Sequence, residues 1–427
     1  MKQIISSRQS QGFLPLAVSM MTCLIVLINV SFKIISLGGM VFAANSLIGP
    51  LIASLFLVAL NTCTFKEQRH LLNLCLITLY LFCVGVYVLV NLPASEYMHD
   101  SPVYQIIFEE IPKKFFATTL SFALSFYLPH LLFFSKTNSE RCTPKNSLLL
   151  FLLGGLSFFC VDFYFLFSGP HAHSFKQVFI DSLMIASLLV LLIGVIYLAF
   201  FLEFNQFFKN SSLSDQSEGF FPTYQYFLCI AVAVMLISLA CEYRIVSINK
   251  DHILSASCIF FPIPIIISSI IGEYWGYRPN IKLALTMVVA QLTFDLFLMG
   301  LVTLPSPPFF NLNPFYSYIM PRRLTAGGLT LFITFFSNAW LIQYLKDPKW
   351  GINRPLRLLI ANVCANSLLC LVDYSLLYGG IYPYEQIFNL VMNVWQYKLI
   401  MTIVLLPFVL WVCKSLERKE ALIWQSE

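Results

Sequence analysis

Charge is what this sequence has least of. Only 11% of its 427 residues are charged, against roughly 25% in soluble proteins. So few ionic side chains cannot cover a water-facing surface of this size, which excludes an ordinary soluble fold. Several enzyme signatures are also missing. There is no G-x-x-x-x-G-K-[ST] phosphate loop, no H-E-x-x-H and no G-x-S-x-G. No C-x-x-C pair occurs. Most cysteines, such as Cys23, Cys75, Cys229 and Cys370, stand singly inside apolar runs as small, soft core residues. His171-Ala172-His173 has no further ligands nearby and reads as a polar turn rather than a metal site. The residues therefore point to no enzyme, no cofactor and no metal. The formal net charge of +5 does not point to nucleic acid, because the basic residues sit in short segments between apolar runs, where they act as topology signals.

What the sequence has instead is apolar length. Hydrophobic residues make up 58% of it, in runs near the ~20 residues that cross a bilayer as a helix. Twelve spans are expected, at 13–35, 38–60, 70–92, 112–135, 147–168, 177–203, 223–246, 252–272, 281–304, 322–345, 354–378 and 386–413. The fold class is an all-α polytopic integral membrane protein. The first run, from Phe13 to about Ile35, is too long for a signal-peptide core, lacks an A-x-A site and reads as an uncleaved span. An even number of spans puts both termini on one side. That side carries Lys66, Arg69, Lys136, Arg141, Lys346, Lys349, Arg354 and Arg357, whereas the opposite segment 93–111 is acidic, with Glu96, Asp100, Glu109 and Glu110. The positive-inside rule then predicts a multi-pass protein of the cell (inner) membrane with both termini cytoplasmic.

The two halves align at an almost constant offset. Phe32-Lys33-Ile34 matches Tyr243-Arg244-Ile245, Pro50 matches Pro262, and Leu92-Pro93 matches Leu304-Pro305. Pro112-Lys113-Lys114 matches Pro321-Arg322-Arg323, and Asp162 matches Asp373. The shift stays between 209 and 212. Apolar composition alone would not bring prolines, basic pairs and an intramembrane Asp into one register. The expected organisation is a six-helix repeat at 1–203, a polar linker at 204–222 that includes Asn210-Ser211-Ser212, and a second repeat at 223–427. Both repeats insert the same way up, a parallel arrangement common among transporters.

Charges inside spans cost about 2.5–3.5 kcal/mol each at mid-helix and usually face the bundle interior. The bland alternative is a polar contact gluing two helices. The second half is the better equipped. Asp373 shares a helical face with Asn366 and Asn362. Lys398 falls near the middle of the last span with Trp395 one turn before it; an ion pair with Asp373 and a substrate contact are both open to it. Glu273 ends the eighth span with Ser269 one turn away, Arg322 and Arg323 open the tenth, and Asp295, in the ninth, has no assigned role. At the positions of Glu273, Asn366 and Asn362 the first half has Asn61, Gly155 and Phe151, and near Leu189, the counterpart of Lys398, it is wholly apolar. Either one half is equipped and the other retained for packing, or the halves share a composite site.

Residues 225–415 resemble the queuosine precursor transporter family, also called the vitamin uptake transporter family. The resemblance rests on Phe261-Pro262 followed by Glu273-Tyr274-Trp275-Gly276-Tyr277-Arg278, on Arg323-Leu324 followed by Ala326, on Asp373 with Gly380, and on Tyr397-Lys398 with Pro407. The first half is more faintly similar, through Asn29 and Lys33. The chain departs from the family pattern at Ser269 and Leu57, where an Asp is usual, at Ala365-Asn366 in place of Ser-Thr, and at Cys370 in place of Gln. The resemblance implies import of a deazapurine: cyano- or aminomethyl-deazaguanine, or queuine. A planar hydrogen-bonding base would want carboxylates or amides at its edge and an aromatic face for stacking. The candidate substrate-binding set is accordingly Glu273, Ser269, Arg323, Asn366, Asp373, Trp395 and Lys398. The expected partners are a small-molecule substrate and the lipid bilayer, with the chain acting as a monomer that is a covalent pseudo-dimer. Competing readings are a non-transporting membrane scaffold derived from the family and a transporter of some other small molecule. A major-facilitator protein ranks lower, because the segment Thr64–His70 lacks that group's glycine- and base-rich loop.

Overall fold

The structure is a computed structural model that describes residues 13–93, 111–134, 142–167, 176–210, 222–242, 245–249, 252–307, 313–379 and 383–426. Long helices dominate, and among the described residues twelve spans are long and apolar enough to cross a membrane. In chain order, α1 (Phe13–Val30) leads through a hairpin of β1 (Ile34–Leu37) and β2 (Met40–Ala43) to α2 (Asn45–Thr62) and α3 (Phe65–Val90). The fourth span is α4 (Ile111–Phe122), a π-helical turn (Ala123–Tyr127) and α5 (Leu128–Phe134), followed by α6 (Pro144–Phe167) and α7 (Lys176–Asn210). The second half runs α8 (Pro222–Ala240), the hairpin β3 (Ile245–Asn249) and β4 (His252–Ser255), α9 (Ser257–Phe260), α10 (Pro262–Tyr274), α11 (Tyr277–Thr303), α12 (Asn313–Leu345), α13 (Arg354–Tyr378) and α14 (Tyr384–Ser426).

The surface identifies the solvent. Leu188 and Leu191 on α7 and Ile400 and Val404 on α14 are each at least 60% exposed. Water would penalise apolar stripes of this extent, which suit acyl chains. Trp340 stacks on Tyr344, and Tyr344 packs on Trp350, an aromatic cluster of the kind found at bilayer interfaces.

The two hairpins correct the expected span limits. The first span ends at Val30 rather than 35, and the second begins at Asn45 rather than 38. Likewise the seventh helix stops at Ala240, and the eighth span begins at Ser257 rather than 252. The segment Ile34–Ala43 is apolar except for Ser36, but Gly38 and Gly39 adopt φ of 60° and 84° and close a two-residue turn. Two adjacent left-handed residues are what a tight hairpin turn requires, and glycine takes them without strain. Backbone outside a helix survives in such a bundle only if its polar groups find protein partners. Here Val41 N–H donates to Asp181 Oδ2 (3.0 Å), and Ala43 N–H donates to Ser182 Oγ (2.9 Å).

The expected linker also shifts. Residues 204–210 continue α7 and Pro222 opens α8, while 211–221 lie outside the described residues. So do His171, His173, Gly380 and most of the acidic segment 93–111. Spatially the chain groups into two compact units. One comprises Met1–Cys83, Glu109–Tyr226 and Gly300–Pro314; the other comprises Val84–Phe108, Phe227–Met299 and Phe315–Glu427.

Candidate functional site

The second unit contains a small internal cavity lined by Ser238, Leu239, Glu242, Ser257, Phe261, Leu369, Asp373, Tyr374 and Lys398. Four elements and a turn build it. Helix α8 supplies Ser238 and Leu239, and its closing turn supplies Glu242. Ser257 begins α9, α13 brings Leu369, Asp373 and Tyr374 on one face, and α14 brings Lys398. The Lys398 ammonium is buried and lies 5.1 Å from the centre of the Phe261 ring and 5.6 Å from that of Tyr374. Both rings offer it the negative face of their π system. Asp373 and Lys398 share the cavity wall, but the ion pair considered between them is not among those formed by the described residues.

Glu242 is the residue that the sequence did not reveal. It is 6% exposed, and its Oε2 has no hydrogen-bond partner among the described residues. Its backbone carbonyl is held by Ser255 Oγ (2.8 Å) and the Tyr378 hydroxyl (3.3 Å), so the turn is fixed while the carboxylate lines the cavity. The cavity measures about 20 Å³. That is room for roughly one water molecule, so a fused-ring substrate requires the wall side chains to move apart.

The other expected residues divide into three groups. Arg323 does not line the cavity. It pairs with Asp295, through Nε at 2.8 Å and through a close contact from Nη2, and its Nη1 donates to the Leu239 carbonyl at 3.0 Å. This gives Asp295 the partner that the sequence could not assign, and it caps the end of α8 with a cation, as the helix dipole favours.

Ser269 and the asparagines form a buried polar file. Ser269 Oγ donates to Asn362 Oδ1 (2.6 Å), which also accepts from Asn338 Nδ2 (2.9 Å). Asn366 Nδ2 donates to Thr402 Oγ1 (3.0 Å), whose hydroxyl in turn donates to the Lys398 carbonyl (2.8 Å). The half-buried Trp395 donates through Nε1 to Ser367 Oγ (2.9 Å) and does not line the cavity.

Glu273 belongs to a separate ionic cluster. Named from the sequence as a candidate substrate contact, it has a side chain only 6% exposed that meets Arg357 at 2.6 Å, Arg354 at 3.1 Å and Lys346 at 3.7 Å. Lys346 also donates to the carbonyls of Gly272 and Glu273, closing the C-terminus of α10. Burial holds the Lys346 ammonium below the usual lysine range, against the pull of Glu273.

In the first unit four polar residues singled out from the sequence have structural partners. Asp162 accepts from Asn45 Nδ2 (3.2 Å) and Thr118 Oγ1 (3.0 Å). Asn61 donates to Leu57 O and accepts from the Tyr197 hydroxyl. Lys33 is buried and donates to the carbonyls of Val302 (2.6 Å) and Leu304 (2.9 Å). Asn29 donates back to the Ile25 carbonyl of its own helix.

The family model described as "Putative vitamin uptake transporter" matches residues 255–412. The matched segment contains every candidate residue named from the sequence, together with the cavity residues of α9, α13 and α14. Glu242, Ser238 and Leu239 precede it. None of the curated proteins and none of the solved structures compared with the chain matches it.

Proposed function

We propose that the chain is a membrane transporter that imports a small planar polar metabolite, a queuosine precursor of the deazapurine class. Its binding site on this reading is the cavity of the second unit. The observation that carries the proposal is the convergence of Asp373, Glu242 and Lys398 on one buried space between the rings of Phe261 and Tyr374. Ionisable groups so far from water are costly in a bilayer and mark substrate or ion paths. The match to a vitamin uptake transporter model over residues 255–412, which include Asp373 and Lys398, supports transport rather than catalysis.

The chemistry of the wall suits such a ligand. Carboxylates accept from the N–H edge of a deazaguanine, Lys398 donates to a carbonyl, and an aromatic ring stacks on the base once the wall opens. The ionic cluster around Glu273 then acts as a brace at the helix ends, on the side that the basic residues mark as cytoplasmic. Under this reading the two sequence repeats are a covalent pseudo-dimer in an inner membrane. The second repeat binds substrate, and the first supports it.

The test is complementation. The chain is expressed in a bacterium that lacks queuosine synthesis and its own precursor transporter, each deazapurine is supplied, and queuosine is assayed in tRNA. Restored modification is the expected result. Failure with every precursor, in cells that insert the protein, refutes the substrate assignment and favours the scaffold reading.

A further inference from the structure

The cavity wall carries an unequal count of charges. Glu242 and Asp373 are carboxylates, and Lys398 is the only cation among the residues lining the cavity. The neighbouring Arg323 does not restore the balance. It is ion-paired with Asp295, and its Nη1 donates to the Leu239 carbonyl. Lys398 itself sits against two aromatic rings. With both carboxylates ionised one is left over, and the orphan oxygen, Glu242 Oε2, belongs to a residue that is 6% exposed. A buried polar atom without a partner is a rare arrangement, and a charged one is unfavourable unless something arrives to meet it.

We propose that the cavity selects a ligand bearing one positive charge, an ammonium or amidinium group, and that Glu242 imposes this selection. The inference rests on the cavity being the binding site, as proposed above, and narrows the substrate class. A ligand cation brings the wall to neutrality. It takes the vacant acceptor on Glu242 in a charge-assisted hydrogen bond. A neutral ligand of equal shape leaves the carboxylate uncompensated. Of the two deazaguanines that differ only at one arm, the aminomethyl form carries the ammonium and the cyano form does not.

The experiment has two arms. In the first, competition uptake of aminomethyl- and cyano-deazaguanine is measured in the complementation strain for the wild type, Glu242→Gln and Glu242→Asp. In the second, the purified full-length protein in detergent is melted with benzylammonium or benzamidinium and, separately, with benzonitrile or benzamide. The wild type should prefer the cationic partner roughly tenfold, the usual gain of a charge-assisted over a neutral hydrogen bond. Glu242→Gln should reduce that ratio to near one, and Glu242→Asp should keep most of it.

Wild-type protein that stabilises equally with cationic and neutral probes overturns the inference, whether or not Glu242→Gln accumulates. So does a Glu242→Gln protein that retains the preference. If no deazapurine is imported yet the cationic probes bind in a Glu242-dependent way, the substrate reading falls and the charge selection stands. If deazapurines are imported without charge preference, the reverse holds.

Discussion

Arg323 offers the sharpest test of how the structure reassigns a residue that the sequence presents as a substrate contact. Arg323→Met keeps the aliphatic volume and removes the guanidinium with all its donors. Asp295, 0% exposed, then retains only the Gln291 amide at 3.3 Å, and the Leu239 carbonyl loses its side-chain donor. Two magnitudes compete. Polar contacts between membrane helices average about 0.6 kcal/mol and reach about 1.7 kcal/mol. Breaking one side of a buried ion pair costs about 3–5 kcal/mol, because the surviving charge is left uncompensated. The second applies here, since the partner is a carboxylate and not a neutral amide. At 2–4 °C per kcal/mol for units of 150–250 residues, the apparent melting midpoint should fall by roughly 6–20 °C. The assay is fluorescence-detected size exclusion after heating in detergent. The double variant Arg323→Met/Asp295→Leu should recover most of the loss, a non-additivity that identifies the pair as the cause. A single variant with an unchanged midpoint but no uptake would refute the argument and return Arg323 to the substrate.

Three further outcomes follow from the same geometry. Lys398→Ala and Asp373→Ala should each abolish uptake while the protein still reaches the membrane, as shown by uptake and immunoblotting of membranes; loss of both proteins from the membrane would make the two residues helix glue. Glu273→Gln should lower the melting midpoint, because Arg354, Arg357 and Lys346 lose their shared counter-charge, yet leave ligand affinity within about twofold, since Glu273 does not line the cavity. Gly327→Ala should destabilise by about 1–3 kcal/mol, the usual cost of overpacking, because the added Cβ would displace the buried Gln291 amide from its bond to Asp295, whereas Gly300→Ala, with nothing within 4 Å, should be neutral or mildly stabilising in the same melt.

The twelve helices were legible because lipid imposes one rule along the whole chain: a span is a long apolar run. The hairpins were hidden by that rule. Ile34, Ile35, Val41 and Phe42 are as apolar as any span, and only Gly38-Gly39 marked the turn. Lys398 and Asp373 could be singled out because a charge in an apolar run is visible in one dimension. Their common cavity could not, since it depends on where α13 and α14 meet α8. Asp295 looked unexplained because its partner is Arg323, on the next helix, which the sequence offered as a substrate contact. Glu242 escaped notice for a different reason. It falls at the end of an apolar run, where a carboxylate is cheap if solvated, and its counterpart in the first half is Ser31, which gives no echo of a charge.

Asp162 and Asp373 hold the same register in the two halves, but their surroundings differ in an instructive way. Both oxygens of Asp162 are taken, one by Asn45 and the other by Thr118. At the offset of 212 that aligns Pro50 with Pro262, the residue corresponding to Asn45 is Ser257. The serine is shorter, and its hydroxyl lies 2.8 Å from Ser255 Oγ. The amide that would fill the space beside the Asp is thus missing, and the cavity, with Lys398 in its wall, stands in that place. Loss of one amide and gain of one ammonium separate a closed structural contact from a site that can receive a ligand. Ser257→Asn should reverse the difference. The added amide, two heavy atoms larger than the hydroxyl, would occupy much of the roughly 20 Å³ space and donate to Asp373. Uptake should be lost while the melting midpoint is kept or raised, because a buried carboxylate gains a donor. Uptake that survives this substitution would mean that the ligand binds elsewhere.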